Sequence, residues 1–170
     1  MTQRLVIRNP KYTDINGMIK VNEACLPENY PREYWLTLMQ DKTRSYVALN
    51  GLQIVGYIVC QWLADKKEGR IVSFAVSESY RGHGLGKILL RSCLNTLRGC
   101  PVSLHVRKSN ETAQKLYRSH GFEIDHIEAS YYNNPIDDAY YMIRCSTETY
   151  ETIRKFKISP QPLPCEQPNS

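Results

Sequence analysis

Residues 73–87 read SFAVSESYRGHGLGK, and this stretch decides the fold. It predicts a buried strand ending at Val76, a short turn, and a helix that begins in the glycine-rich run 81–87. Glycines ahead of a helix leave backbone N–H groups bare, and the positive end of the helix dipole lies behind them. Arg81 and Lys87 add permanent positive charge on either side. The sequence therefore predicts a site for a phosphorylated ligand.

The spacing of the glycines excludes two common phosphate loops. A dinucleotide fingerprint requires its third glycine where this chain has Lys87. A P-loop requires Ser or Thr where this chain has Ile88. The remaining pattern, Arg-x-x-Gly-x-Gly over residues 81–86, resembles the acetyl-CoA pyrophosphate loop of the GCN5-related N-acetyltransferases (GNAT).

The other periodicities predict an α/β fold with the element order β-α-α-β-β-β-α-β-α-β-β. Asp14 is expected to cap the first helix, and Asn50-Gly51 predicts a hairpin. Ser109 or Asn110 is expected to cap the last helix, which Gly121 would end in the left-handed conformation. The expected strands cover residues 5–7, 46–49, 54–62, 71–76, 102–106, 122–129 and 139–143.

The composition describes one ordinary globular domain. The chain has 170 residues, of which 42% are hydrophobic and 23% charged, enough to bury a core. We expect a domain over residues 1–145 and a polar, partly disordered tail over 146–170, which has four prolines after position 159. No apolar run reaches the length of a membrane span and no signal region is apparent, so we expect no membrane association and a cytoplasmic protein.

Cysteine, histidine and charge patterns narrow the ligand classes. The six cysteines form no CxxC pair and the four histidines show no metal-ligand spacing, so reduced thiols and no metal are expected. The net charge of +5 either serves solubility or attracts acidic ligands such as a CoA nucleotide or a ribosomal surface. No basic cluster is interleaved with aromatic residues, which argues against a nucleic-acid-binding module.

Three further segments extend the resemblance over about residues 4–144. The LPENY run at 26–30 looks like the substrate loop of the NatA-type catalytic subunit, and LHVRKSN at 104–110 like the strand and cap before that family's fourth helix. Tyr131-Tyr132 followed by DAY at 138–140 resembles its late substrate hairpin. The chain is thus similar to the N-terminal α-amine acetyltransferases. The resemblance implies a mixed, mostly antiparallel sheet of six to seven strands with about four helices, splayed between strands 4 and 5.

The resemblance also implies three catalytic residues. Glu28 would position or deprotonate the amine, whereas an isolated loop glutamate is usually a solvated carboxylate. His105, inside an apolar strand, is either a core residue or the base, and the choice between it and Glu28 stays open. Tyr117, two turns beyond Asn110, would protonate the CoA thiolate, although such a tyrosine otherwise serves packing. Some relatives carry an aromatic residue or a histidine that acts as a second base near the start of the fourth strand. This chain has Arg70 there, which puts such a second base in doubt.

The implied donor is acetyl-CoA, with no metal. Its expected contacts are Phe74, Ala75, Val76, Arg81, Gly82, His83, Gly84, Leu85, Gly86, Lys87, Asn110 and Tyr117. The expected substrate contacts are Leu26, Pro27, Glu28, Tyr30, Val72, Tyr131 and Tyr132.

The resulting hypothesis is direct transfer of acetyl from acetyl-CoA to the N-termini of nascent or mature proteins, with small first residues favoured after removal of methionine. A large helical auxiliary subunit and the ribosome are candidate partners. The alternatives are an acetyltransferase for ribosomal proteins or acidic N-termini that acts alone, one for lysine or a small amine, and a non-catalytic acyl-CoA-binding protein. The LPENY run and the tyrosine pair argue against the lysine reading.

Overall fold

The computed structural model describes residues 5–145. The predicted tail over 146–170 lies outside the described residues. Within 5–145, no helix is both long and apolar enough to cross a bilayer.

Seven strands and four α-helices make up the described chain, and the predicted element order is confirmed. The strands are β1 (Leu5–Arg8), β2 (Tyr46–Asn50), β3 (Gln53–Leu63), β4 (Glu68–Val76), β5 (Val102–Arg107), β6 (Glu123–Asn133) and β7 (Ile136–Arg144). The helices are α1 (Ile15–Cys25), α2 (Arg32–Leu38), α3 (Leu85–Thr96) and α4 (Glu111–Arg118).

The strands form one mixed sheet in the order β1-β2-β3-β4-β5-β7-β6. Only β4 and β5 run parallel, and they pair only from Gly69 opposite Val102 to Ile71 opposite Leu104. Because β4 continues to Val76 without pairing to β5, a gap opens between the two strands. The expected splay between strands 4 and 5 is therefore confirmed.

Apolar side chains cover both faces of the sheet. On one face, Met18 of α1 and Trp35 of α2 are fully buried together with Tyr57 of β3. On the other face, Leu89 of α3 packs in a second cluster that includes Leu104 of β5. With both faces covered, the sheet is a rigid frame for the gap.

Several local predictions are confirmed and one is wrong. Gly51 and Gly121 have φ angles of +60° and +84°, as the turns require. Asn110 Oδ1 accepts a hydrogen bond from the N–H of Ala113 at 3.1 Å and so caps α4. Asp14 makes no cap bond to α1, contrary to prediction. A 3₁₀ turn precedes the helix, and the Asp14 carboxylate instead accepts from Arg8 at 2.6 Å.

The strand boundaries differ from the predicted ones by three or more residues at three places. β4 begins at Glu68 rather than at residue 71, and β7 begins at Ile136 rather than at residue 139. β6 extends to Asn133, so Tyr131 and Tyr132 lie within a strand. Register irregularities between Glu128 and Tyr132 allow the strand to continue past the predicted end.

Candidate active site

A cavity of about 440 Å³ opens where β4 and β5 part. It brings together most residues that the sequence singled out. These are Leu26, Pro27, Glu28, Tyr30, Val72, Phe74, His105, Asn110, Tyr117, Tyr131 and Tyr132. The predicted donor contacts Ala75, Val76 and 81–87 are not among the lining residues and lie towards the carboxyl end of β4 and the start of α3.

The glycine loop has the geometry of a phosphate site. Gly82 and Gly84 have φ angles of +77° and +81°, which a side chain rarely adopts. The first hydrogen bond back from α3 joins Ile88 N to Gly84 O at 3.1 Å. The N–H groups that precede Ile88 therefore have no helical acceptor and are available to an anion. Arg81 closes the loop, since its Nε donates to the carbonyl of Val76 at 2.9 Å.

The unpaired edge of β4 fits the rest of a CoA-like donor. Phe74, Ala75 and Val76 bond to β3 along one edge only. A Cβ at Gly86 would lie 3.6 Å from the ring of Phe74, which is ordinary van der Waals contact, so the start of α3 lies directly beside this part of β4. An extended amide-bearing arm matches such a free strand edge, and its diphosphate matches the loop.

Glu28 is held by an ion pair with Arg107. Arg107 Nε lies 2.9 Å from Glu28 Oε1, and Nη2 donates to the same oxygen. The two side chains are only 26% and 11% exposed, so water screens the pair weakly. Glu28 is therefore a fixed carboxylate with Oε2 left for a ligand, and the solvated-loop alternative does not describe it.

Arg107 is a site residue that sequence reasoning missed. Its guanidinium carbon lies 4.2 Å from the centre of the Tyr132 ring, and Nη1 donates to the carbonyl of Pro135 at 2.8 Å. The available signal was period two, because residues 105 and 107 of one strand point to the same face. The arginine thus joins the LPENY loop to the β6–β7 hairpin.

His105 faces the cavity and is held on two sides. Its Nε2 lies 3.1 Å from Glu128 Oε1, and its ring stacks on Tyr131 with centroids 4.3 Å apart and planes at 6°. When Nε2 carries the proton that Glu128 accepts, Nδ1 is the ring nitrogen that can take up another. Glu128 also lies 3.3 Å from His126 Nε2, a contact that no sequence pattern indicated.

Tyr117 lies on the α4 side of the gap and is 7% exposed. It sits between Phe74 and Phe122, with ring centroids 6.4 and 5.7 Å away. Burial raises the pKa of Tyr117 well above its usual value, so the phenol stays protonated. Its hydroxyl can donate a hydrogen bond but gives up its proton reluctantly.

Four tyrosine rings line part of the cavity. Tyr30 lies 5.0 Å from Tyr34, and Tyr131 lies 5.0 Å from Tyr132, between ring centroids. Burial, followed by the proximity of Tyr34 and Glu28, raises the pKa of Tyr30 to about 12. Burial likewise raises the pKa of Tyr132. The phenols of Tyr30 and Tyr132 are therefore neutral hydrogen-bonding groups near pH 7. Among residues 5–145, no cluster of His, Cys, Asp and Glu is arranged to hold a metal ion.

Comparisons with known proteins agree with this geometry. Residues 12–122 match the acetyltransferase (GNAT) family. The chain is 34% identical over 151 residues to an N-alpha-acetyltransferase of Sulfurisphaera tokodaii, covering 80% of this chain and 90% of the relative. It is 37% identical over 147 residues to the N-terminal acetyltransferase A complex catalytic subunit ard1 of Schizosaccharomyces pombe, covering 80% and 82%.

Solved structures show the same architecture. Ard1 from Thermoplasma volcanium superposes with a TM-score of 0.77 at 29% identity, covering 84% of this chain and 97% of that one. Naa50 of Arabidopsis thaliana, solved in complex with the bisubstrate analogue CoA-Ac-MVNAL, superposes with a TM-score of 0.74 at 26% identity, covering 82% and 97%.

Proposed function

The chain belongs to the acetyltransferase (GNAT) family, and from this premise we propose that it transfers acetyl from acetyl-CoA to the α-amino group of protein N-termini. The observation that carries the proposal is the cavity that continues the gap between β4 and β5. Its lining includes Phe74, whose ring lies beside Gly86 of the glycine loop, together with the LPENY loop and the tyrosine pair.

The donor side of the proposal rests on backbone groups. When bound, acetyl-CoA supplies the thioester that is attacked. The N–H groups at the start of α3 hold its diphosphate, with Lys87 adding charge. The free edge of β4 at Phe74, Ala75 and Val76 holds the extended arm and offers an N–H to the carbonyl that becomes an oxyanion. Asn110 keeps its amide N–H groups for the arm, because Oδ1 serves as the helix cap.

On the acceptor side, Glu28 and His105 have separate roles. Glu28 Oε2 holds the incoming amine, since Oε1 is taken by Arg107. His105 removes the proton through Nδ1, with Glu128 stabilising the imidazolium that forms. A peptide α-amine has a pKa near 7.7–8.0, against about 10.4 for lysine, so a base of histidine strength suffices only for the former. This choice between the two candidate bases follows from their partners.

Tyr117 completes the transfer by hydrogen bonding to the departing thiolate. Because its pKa is raised, the Tyr117 hydroxyl stabilises the thiolate by a hydrogen bond rather than by giving up its proton. The thiolate sulfur then takes up the proton that the amine lost. The amine attacks the thioester directly in a ternary complex. Cys25, the thiol on the cavity wall, bonds to the carbonyl of Val76 at 3.6 Å and is not needed as a carrier.

The first residue of the acceptor lies against Leu26, Pro27, Tyr30 and Val72. An apolar wall discriminates by about 1–3 kcal/mol per methylene, so small first residues are favoured in a graded way. Tyr131 and Tyr132 hold the peptide backbone. Nascent and mature N-termini in the cytoplasm are the proposed substrates, and a helical auxiliary subunit and the ribosome are the proposed partners. The fission yeast relative is itself named as the catalytic subunit of a complex.

A peptide panel tests the proposal. Peptides that differ only in residue one (Ser, Ala, Val, Leu, Phe) are incubated with acetyl-CoA, and initial rates are measured for wild type and Glu28→Gln. We expect rates to fall as the first side chain grows and to drop at least about tenfold in the variant, as the loss of a charged hydrogen-bonding group predicts. Equal rates for all first residues would refute the apolar wall, and no acetylation of any peptide would refute the function.

A further inference from the structure

Arg70 is a cation in the cavity wall that forms no ion pair with any described residue. It lies on β4 opposite Gln61 of β3 and Ser103 of β5. Its Nε is buried and has no hydrogen-bond partner. Within residues 5–145, no carboxylate comes within ion-pairing distance of its guanidinium.

Arg107, the other arginine that lines the cavity, has hydrogen-bond and ion-pair partners for its guanidinium. Arg107 is bonded to Glu28, lies near Asp137 and contacts two backbone carbonyls. Arg70 has none of these partners, although leaving a buried donor without an acceptor is unfavourable. Such a cost is expected where a ligand supplies the missing acceptor.

The position of Arg70 indicates which part of the acceptor reaches it. Val72, two residues further along β4, walls the proposed first-residue pocket, and the thioester lies beyond it near Phe74–Val76. Residues two apart on a strand face the same side about 6.6 Å from each other. Arg70 therefore lies one peptide step farther from the transfer point than the first residue, beside Tyr131 and Tyr34 at the cavity wall.

We propose that Arg70 is a specificity-determining residue that binds the side-chain carboxylate of the acceptor's second residue. The inference rests on the proposed function and deepens it. It assigns the enzyme to substrates that combine a small first residue with Asp or Glu at the second position. A planar guanidinium with several donors is well matched to a carboxylate.

Paired peptides test the assignment directly. Two peptides begin Ser-Glu and Ser-Gln, are otherwise identical and carry no further acid, and kcat/KM for α-amine acetylation is measured on each. Wild type is expected to prefer Ser-Glu by about tenfold, the order expected of a charge-assisted hydrogen bond. Arg70→Gln is expected to lose the preference, so that its kcat/KM values for Ser-Glu and Ser-Gln become equal. Arg70→Lys keeps the positive charge but lacks the planar guanidinium, and it is expected to retain part of the preference for Ser-Glu.

Two further variants serve as a control and as a reversal of charge. Arg98→Gln removes an exposed arginine at the far end of α3 and is expected to leave the preference intact. Arg70→Glu is expected to favour a Ser-Lys peptide over Ser-Glu. Equal kcat/KM for Ser-Glu and Ser-Gln with wild type, or a preference that survives in Arg70→Gln, would overturn the role of Arg70 and leave the proposed function intact. If neither peptide is acetylated at its α-amine, both proposals fail.

Discussion

Arg107 donates two hydrogen bonds to one carboxylate oxygen of Glu28, although the residues lie 79 positions apart in the chain. The pair joins the loop after α1 to β5, across the mouth of the cavity. No described residue bonds to the other oxygen of Glu28. The carboxylate that we propose to hold the amine is therefore positioned by Arg107, to which no acid–base role is assigned.

Replacing Arg107 by Gln is expected to release Glu28 and lower kcat/KM at least about thirtyfold, because removing one member of a weakly solvated ion pair costs about 2–5 kcal/mol. Arg107→Lys is expected to recover little, since an ammonium cannot reproduce the forked contact. Steady-state kinetics at saturating acetyl-CoA would measure both variants. A wild-type rate for Arg107→Gln would show that the pair is dispensable.

His105→Gln is expected to lower kcat about hundredfold at pH 7, the usual worth of a positioned base. The deficit should shrink by pH 9, because the α-amine of the substrate, with a pKa of 7.7–8.0, loses its proton to solvent there. Rates of wild type and variant across pH 6–9 would check this. A deficit of constant size over that range would point to a structural role for His105.

Gly84→Ala is expected to raise the KM for acetyl-CoA with little effect on the KM for peptide. The φ of +81° costs a non-glycine residue about 1–2 kcal/mol, and the strain falls on the proposed phosphate loop. Gly51→Ala is a matched control, since Gly51 also has positive φ and open space around it but lies in the β2–β3 hairpin. The control should lose similar thermal stability with an unchanged KM for acetyl-CoA. An equal rise in that KM for both variants would contradict a special role for the loop.

Features that depend on neighbouring residues could be predicted from the sequence, whereas contacts between distant segments could not. The glycine loop, the Asn110 cap and the Gly121 terminator depend on neighbouring residues, so local patterns predicted them correctly. The contacts of Arg107 with Glu28 and of Glu128 with His105 depend on how the fold brings distant segments together. Glu28 lies in the loop after α1, and β7 lies between the strands of His105 and Glu128. A single sequence does not reveal such pairings. The wrong assignment of the Asp14 cap has a similar origin, because Arg8 on β1 competes for the carboxylate.

His126 is expected to make stability depend on pH. Its hydrogen bond to Asp125 at 2.7 Å, and then its contact with Glu128, raise its pKa above the usual value. The stabilisation is fully present below the unfolded pKa of about 6.5 and is lost as pH rises through the folded pKa. At pH 5.5 the free energy of unfolding of His126→Gln should therefore be lower than that of wild type, by at most about 1 kcal/mol because the pair is so exposed. At pH 9 the two proteins should be equally stable.

Asp125→Asn removes the main partner and should show the same trend in thermal melts. A difference between wild type and His126→Gln that grows with pH would contradict the assigned direction.

The measurement that tests the account most directly is the site of acetylation on one peptide. A peptide with a free Ser α-amine and one internal lysine is incubated with the protein and acetyl-CoA, and fragment masses locate the acetyl group. The account predicts one acetyl, on the α-amine. A twin peptide with a blocked α-amine should remain unmodified. Acetyl on the lysine ε-amine with the α-amine left free would contradict the central claim.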